Sequence, residues 1–142
     1  ELFSDALKVH WFEISSIDTA NLEGDLTALA RMLFDRMSGP YGHTHFFLQA
    51  DARKFEDVGR AISAYRGQMI NEARAVVHRA IRRGELPEKT DANLIMDVIV
   101  GAISNHVTAT PPGKKDQMIA RAPEYLENLI RLVVQGQTKA QG

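Results

Sequence analysis

The sequence predicts an all-α domain. Apolar residues recur at three- and four-residue spacing in five or six stretches of the chain, which is the period of an amphipathic helix. No stretch alternates apolar and polar residues between the tight turns that a sheet requires. A length of 142 residues fits one domain with one core, so we expect a single multi-helix bundle over residues 1–142.

The composition argues against several classes of protein. The chain has no Cys, which excludes disulfide frameworks, thiolate zinc sites and cysteine nucleophiles. Its formal net charge of −1 provides no overall field that would attract nucleic acid or an anionic membrane. The longest apolar run, at 98–103, is much shorter than a membrane span, so we expect no membrane partner.

Two helices are predicted in the first part of the chain. In residues 1–15 the apolar side chains fall on one face, and the pattern fades in the polar stretch 15–24. The second helix is expected to begin at Asp25, a capping residue, and to end at Ser38-Gly39-Pro40. The apolar stripe of the first helix includes Phe3, Leu7, His10, Trp11 and Ile14.

A long helix is predicted to begin near Glu56, after a short and weakly patterned helix that contains Phe46 and Phe47. The long helix has one apolar and one basic face, and Gly84 is suited to the position just beyond its end. Phosphate or DNA binding is one interpretation of the arginines near its end. We expect a solvated face instead, because Glu72 and Glu85 weaken the positive charge. These arginines are Arg74, Arg79, Arg82 and Arg83.

The last two long helices are apolar over more of their surface than one core contact can cover. The first begins near Thr90 or Asp91 and has an apolar arc of about 240°, and the second, after the loop "TPPGKKD", has one of about 200°. Pro123 either kinks the second helix or marks its first turn. A homodimer in which residues 90–136 of both chains form a four-helix bundle would cover these arcs, and a hairpin buried within a monomer is the alternative.

The predicted dimer interface takes four residues from each of these helices. In the first they are Val100, Ile103, His106 and Val107, and in the second Tyr125, Leu126, Leu129 and Val133.

Three phrases in the sequence carry a family resemblance: "ELFSDAL" at the start, "ARAVVHRAIRRGELPEKTDANLIMDVIVGAI" in the middle and "YLENLIRLVVQG" near the end. Together they resemble the C-terminal half of a TetR-family transcriptional regulator. Arg82 to Leu86, "RRGEL", is the most specific of the matching phrases. The resemblance implies that residues 1–15 form the connecting helix from a helix-turn-helix module that this sequence does not include.

The resemblance also implies a function. Domains of this kind dimerise through their last two long helices and bind a small hydrophobic effector in a pocket. Effector binding moves the connecting helices and releases operator DNA, which only the missing N-terminal module contacts. The implied protein is a cytoplasmic repressor that needs no cofactor and is not an enzyme.

Aromatic and Met side chains are the candidates for lining the effector pocket, because large flat or flexible groups suit an apolar ligand. Each of them taken alone is equally typical of an ordinary core. The eight candidates are His10, Trp11, Phe34, Met37, Phe46, Phe47, Tyr65 and Met69.

Neither a metal site nor a catalytic site is predicted. His43 and His45 are two residues apart, which on a helix points them in different directions, and no further ligands accompany them. No Gly-rich phosphate loop or nucleophile elbow occurs. Two alternative functions remain open: a self-associating helical interaction module without a ligand, and a small helical enzyme.

Overall fold

The computed structural model describes residues 17–40, Gly42 and residues 53–139. The described residues contain no strand, and the all-α prediction is confirmed. The predicted helix at 1–15 and most of the predicted short helix after Pro40 lie outside the described residues. The elements are α1 (Leu22–Ser38), α2 (Glu56–Arg82), α3 (Ala92–Ala109), a 3-10 turn (Pro112–Lys114), α4 (Lys115–Ala120) and α5 (Ala122–Lys139).

Helix α1 begins one turn earlier than predicted. Asn21 is its N-cap, and the side-chain oxygen of Asn21 accepts a hydrogen bond from the Gly24 N–H at 2.7 Å. The predicted start at Asp25 is wrong, because Asp25 lies inside the first turn with its side chain fully buried. The predicted end is confirmed: the Gly39 N–H donates to the carbonyl of Arg36, and Pro40 follows.

Helix α1 lies at the centre of the bundle and packs against α2, α3 and α5. Burial of each large apolar side chain on this helix stabilises the fold by roughly 1.5–3 kcal/mol. Its buried apolar residues are Leu22, Leu26, Leu29, Ala30, Leu33, Phe34 and Met37.

Helix α2 joins the core through its C-terminal part and ends as the sequence predicts. Ala73, Val76, Val77 and Ala80 are buried at helical spacing. Gly84 follows the helix with a φ of +81°, a conformation that glycine adopts without steric cost. The Gly84 N–H donates to the Ile81 carbonyl and the Glu85 N–H to the Ala80 carbonyl, which is the Schellman arrangement.

Helix α3 is capped by Asp91, one of the two predicted caps. The Asp91 carboxylate accepts hydrogen bonds from the N–H groups of Asn93 and Leu94, at 2.9 and 3.2 Å. One face of α3 is buried against α1 and α2. The residues of this face are Ala92, Ile95, Met96, Ile99 and Ile103.

The stretch predicted as the loop "TPPGKKD" contains the 3-10 turn and the start of α4, so that prediction is partly wrong. Pro112 occupies the first position of the 3-10 turn, where its missing N–H leaves no helical hydrogen bond unmade. Pro123 is the second residue of α5 and therefore marks its first turn. The core residues of α5 are Ala122, Leu126, Leu129, Ile130 and Val133.

Candidate functional site

Two of the predicted pocket residues have described side chains, and both lie in the core. Phe34 is 1% exposed and Met37 is 7% exposed. The Met37 sulfur accepts a hydrogen bond from the Ser104 hydroxyl at 3.4 Å, which connects α1 to α3.

The other six pocket candidates fall outside what the structure describes. His10, Trp11, Phe46 and Phe47 lie outside the described residues. Tyr65 and Met69 belong to α2, but their side chains are not described. The effector pocket therefore stays a prediction.

Four residues of the predicted dimer interface are buried within the chain itself. Ile103 is 0% exposed, and Leu126, Leu129 and Val133 are each at most 9% exposed. Their side chains contribute to the chain's own core and leave little area for a second chain to cover. No partner chain is present, so the interface stays a prediction.

The remaining four interface candidates lie at the edge of the core. Val100, Val107 and Tyr125 are partly buried against it. His106 stacks on Tyr125, with ring centroids 3.8 Å apart and an interplanar angle of 8°. The Tyr125 hydroxyl donates a hydrogen bond to the Ala102 carbonyl at 3.1 Å, which holds the start of α5 beside α3. Burial raises the pKa of Tyr125, so its hydroxyl stays protonated and able to donate at neutral pH.

Helix α3 exposes a second apolar face, opposite its core face. Leu94 is 54% exposed and Val98 is 42% exposed. Gly101 follows on the same side at helical spacing, and a Cβ added there would meet no atom within 4 Å. The broad apolar arc in the sequence contained Leu94 and Val98, whereas Gly101 fell in the narrow strip beside it. Periodicity alone did not separate the face used by the core from the face left open.

Helix α5 also exposes a large apolar side chain. Leu132 is 70% exposed and lies seven residues after Tyr125, on the same side of the helix. We use the name outer face for these exposed positions of α3 and α5, namely Leu94, Val98, Gly101 and Leu132. A single exposed leucine is ordinary, whereas repeated exposed apolar residues on two neighbouring helices are typical of an interaction surface.

A groove of about 680 Å³ lies where α3 ends and α5 begins. Two basic residues, Lys114 and Arg121, and one acidic residue, Glu124, line it. The stacked side chains of His106 and Tyr125 form part of its wall. Phe34 and Met37, the two predicted pocket residues with described side chains, do not line it. The other lining residues are Asn105, Ala109, Thr110, Pro111, Gln117, Met118 and Asn128.

The end of α2 carries a cluster of charged groups that the sequence did not predict. Arg83 donates hydrogen bonds to Glu85 at 2.7 Å and to Asp25 at 3.2 Å, and Arg79 donates to the Ile17 carbonyl. The expectation of a solvated face holds only in part, because Arg83 keeps part of its surface exposed while both arginines bond to distant parts of the chain. Sequence spacing could not reveal the contacts, because Asp25 and Ile17 are about sixty residues away along the chain.

Asp25 accepts three hydrogen bonds in this cluster. Two come from Thr19, from its N–H at 2.6 Å and its hydroxyl at 2.9 Å, and the third comes from Arg83. Burial by itself raises the pKa of Asp25, but the bonds from Thr19 and Arg83 outweigh it and leave that pKa below its ordinary value.

The described residues offer no group of three His, Asp or Glu side chains that could hold a metal ion. Among them, α3 is the one helix that is long and apolar enough to cross a membrane. Core helices of globular domains meet the same criterion, and α3 has one face packed against α1 and α2.

Comparison with known families identifies the fold. The family described as "Tetracyclin repressor-like, C-terminal domain" matches residues 16–133, which include α1 to α4 and most of α5. The chain belongs to this family. The resemblance stated from the sequence is therefore confirmed. Neither a curated protein nor a solved structure is significantly similar to the chain.

A TetR-like C-terminal domain is the effector-binding and dimerisation part of a transcription regulator. In this TetR-like domain, α3 and α5 are the last two long helices, and the outer face lies on them.

Proposed function

We propose that the chain is the effector-binding and dimerisation domain of a cytoplasmic, TetR-like transcriptional repressor. It forms a homodimer and binds a small hydrophobic effector, and effector binding moves residues 1–15 and releases operator DNA from the N-terminal module. The family match over residues 16–133 carries this proposal. The open apolar face on the last two long helices supports it.

In this proposal a second copy of the chain covers the outer face. The opposite face of α3 already contacts α1 and α2, so Leu94 and Val98 remain available for a partner. Gly101 lets a helix of the partner approach the backbone closely, because it has no side chain. A twofold axis would place the same surface on both chains. The partly buried Tyr125, on the same side of α5 as Leu132, would extend the contact toward the roughly 800 Å² per partner of a stable interface.

Replacing Leu132 with Glu tests this surface. Leu132 is 70% exposed, so the charge would be solvated in a monomer, whereas a dimer would bury it without a partner. We expect Leu132→Glu to weaken dimerisation by about tenfold or more, with little change in the free energy of unfolding of the monomer. Light scattering and native mass spectrometry over a range of concentrations measure the dissociation constant.

Arg131→Gln is the matched control. It changes the net charge by the same amount at the adjacent position, and it removes only an exposed ion pair with Glu127. This control should dimerise as the parent does. A Leu132→Glu variant with the parent's dissociation constant would place the interface elsewhere, and a parent that is monomeric at every concentration would contradict the homodimer.

A second candidate function is a self-associating helical module that binds no effector. The positions of Phe34 and Met37 favour it, because both side chains are used by the core. Native mass spectrometry of the chain purified from its expression host distinguishes the two functions. A dimer that carries a small-molecule adduct supports the repressor domain, and a dimer that stays free of adduct after incubation with a panel of hydrophobic compounds supports the interaction module.

A further inference from the structure

Residues 17–21 follow residues 1–16, lead into α1 and are bound to the end of α2 by hydrogen bonds. We call this set of contacts the latch. Arg79 donates to the Ile17 carbonyl, and the Ile17 side chain is buried in the core. Glu85 accepts a hydrogen bond from the Leu22 N–H at 2.9 Å, so the segment is held at its start and directly after its end by residues near the end of α2.

Arg83 connects the two sides of the latch. Its guanidinium donates to Glu85 on one side and to Asp25 on the other, and Asp25 in turn holds Thr19 through two hydrogen bonds. A planar guanidinium with several donors can serve two carboxylates at once, which a lysine ammonium does less well. Since the Asp25 side chain is fully buried, removal of Arg83 would leave a buried carboxylate without its cation.

The backbone of the segment is shaped to fit this attachment. Ala20 has a φ of +69°, a conformation that residues other than glycine adopt only at a cost, and its N–H donates to Asp18. Thr19 lies so close to α1 that a Cβ at Gly24 would be 2.2 Å from its hydroxyl oxygen. Such a conformation persists when the surrounding contacts enforce it.

We propose that Arg83 is a positioning residue that fixes residues 17–21 to the end of α2, so that a shift of α2 also moves residues 1–16. The proposal rests on the proposed function, which gives residues 1–15 the role of connecting helix. Effector binding can change the position of a connecting helix only through contacts that differ between two states of the domain. The latch is a contact between the end of the long helix α2 and the segment that follows residues 1–16, through which such a difference would be transmitted.

Hydrogen exchange tests the latch directly. The Thr19 and Leu22 N–H groups both donate to latch carboxylates, whereas the Gly24 N–H donates to its local cap, Asn21. We expect Arg83→Met to speed exchange at Thr19 and Leu22 by about tenfold to a hundredfold and to leave Gly24 nearly unchanged. If Arg83→Met does not fold, Arg83→Lys takes its place, because it keeps the charge but cannot hold both carboxylates in the same way.

Energy transfer tests the effect on residues 1–16. The chain has one Trp, Trp11, and no Cys, so His78→Cys gives a single labelling site on the exposed surface of α2. Time-resolved transfer from Trp11 to an acceptor dye at this site reports the distribution of distances between residues 1–16 and α2. We expect Arg83→Met to broaden this distribution or shift its mean.

A variant that only lowers the stability of the fold should not change the Trp11 distances or the exchange at Thr19. Ile130→Val provides the control, because Ile130 is fully buried on α5 and its loss of one methyl group destabilises the fold without touching the latch. The control should keep the parent's distance distribution and its exchange at Thr19. An unchanged distribution in Arg83→Met, or an equal change in Ile130→Val, would overturn the proposal.

This experiment also separates the latch from the proposed function. A chain that is monomeric and binds no effector, but whose Trp11 distances depend on Arg83, would retain the latch and refute the repressor domain. A dimer that binds an effector, with Trp11 distances independent of Arg83, would refute the latch alone.

Discussion

The role of Asp25 in the structure differs from the helix-capping role that its residue type suggests. An aspartate beside a helix start is typical of an N-cap, and the sequence predicted that role. Asn21 is the cap instead, and the buried Asp25 carboxylate holds Thr19 and Arg83. The residue type determined that this side chain would accept hydrogen bonds, and the fold determined from which donors.

The lowered pKa of Asp25 predicts a dependence of stability on pH. Because the folded-state pKa lies below the ordinary value of 3.8, the unfolded chain binds the proton more readily. The stabilisation is therefore complete above that ordinary value and is lost as the pH falls through the folded-state pKa. We expect Asp25→Asn to lower the free energy of unfolding by about 1–3 kcal/mol at neutral pH, and by progressively less in acid.

Urea unfolding at a series of pH values measures this effect. Asp57→Asn is the control, because Asp57 is 93% exposed and pairs with the exposed Arg60. Its variant should follow the parent at every pH. A constant difference between Asp25→Asn and the parent down to the most acidic pH would show that the charge of Asp25 contributes nothing to stability.

At the scale of the element, α3 combines two apolar faces in one helix. Ile95, Ile99 and Ile103 face α1 and α2, whereas Leu94 and Val98 face outward. Each neighbour of a helix covers only part of its circumference. An apolar arc that is too broad for one neighbour therefore indicates a second one. The sequence showed that breadth but could not divide it between the core and a partner.

Replacing Gly101 with Ala tests whether a partner covers the outer face. Alanine is a better helix former than glycine by about 1 kcal/mol, and a Cβ at Gly101 meets no atom of the chain within 4 Å. We expect Gly101→Ala to stabilise the monomer by about that amount and to weaken dimerisation, because the methyl group would separate two closely packed helices.

Analytical ultracentrifugation and thermal unfolding measure the two effects separately. Gly67→Ala on α2 is the control, because its added Cβ also meets no atom within 4 Å and it lies outside the outer face. It should stabilise the chain and leave dimerisation unchanged. Equal dissociation constants for Gly101→Ala and the parent would remove Gly101 from the interface.

At the scale of the whole molecule, one helix organises the core. Helix α1 packs against α2, α3 and α5, and the four helices share a continuous set of buried apolar side chains. Several residues that the sequence assigned to the dimer interface belong to this set. The chain's own fold therefore uses one side of α3 and α5 before any partner binds.

Alanine substitutions on the two sides of α3 separate these roles. We expect Ile103→Ala to lower the free energy of unfolding by about 2–5 kcal/mol, because it leaves a cavity at a fully buried position. Val98→Ala should change the stability of the monomer by less than about 1 kcal/mol and weaken dimerisation. Denaturant unfolding at concentrations where the dimer dissociates gives the first comparison, and sedimentation gives the second.

The opposite pattern has a clear meaning. If Ile103→Ala weakened dimerisation without a loss of monomer stability, the core face and the partner face of α3 would be exchanged. That result would restore the interface predicted from the sequence and contradict the outer face.

The sequence by itself determined the four long helices of the described residues, several of their ends and the family. Helical period, Gly84 and Asp91 are local signals, since each acts through residues within one or two turns, and the structure agrees with them. Of the three phrases that resemble the TetR family, the middle one lies within the matched region and most of the last one does, whereas residues 1–7 precede it. The loop at 110–116 was mistaken because short helical turns have little periodicity to detect.

Only the tertiary structure decided which apolar face each helix buries and which charges meet. The faces of α3 and α5 are both apolar, and their assignment depends on where α1 lies between them. Arg83 and Asp25 are far apart in sequence and come together only when α2 packs against α1. Contacts of that kind arise from the packing of whole helices, and no local pattern in the sequence encodes them.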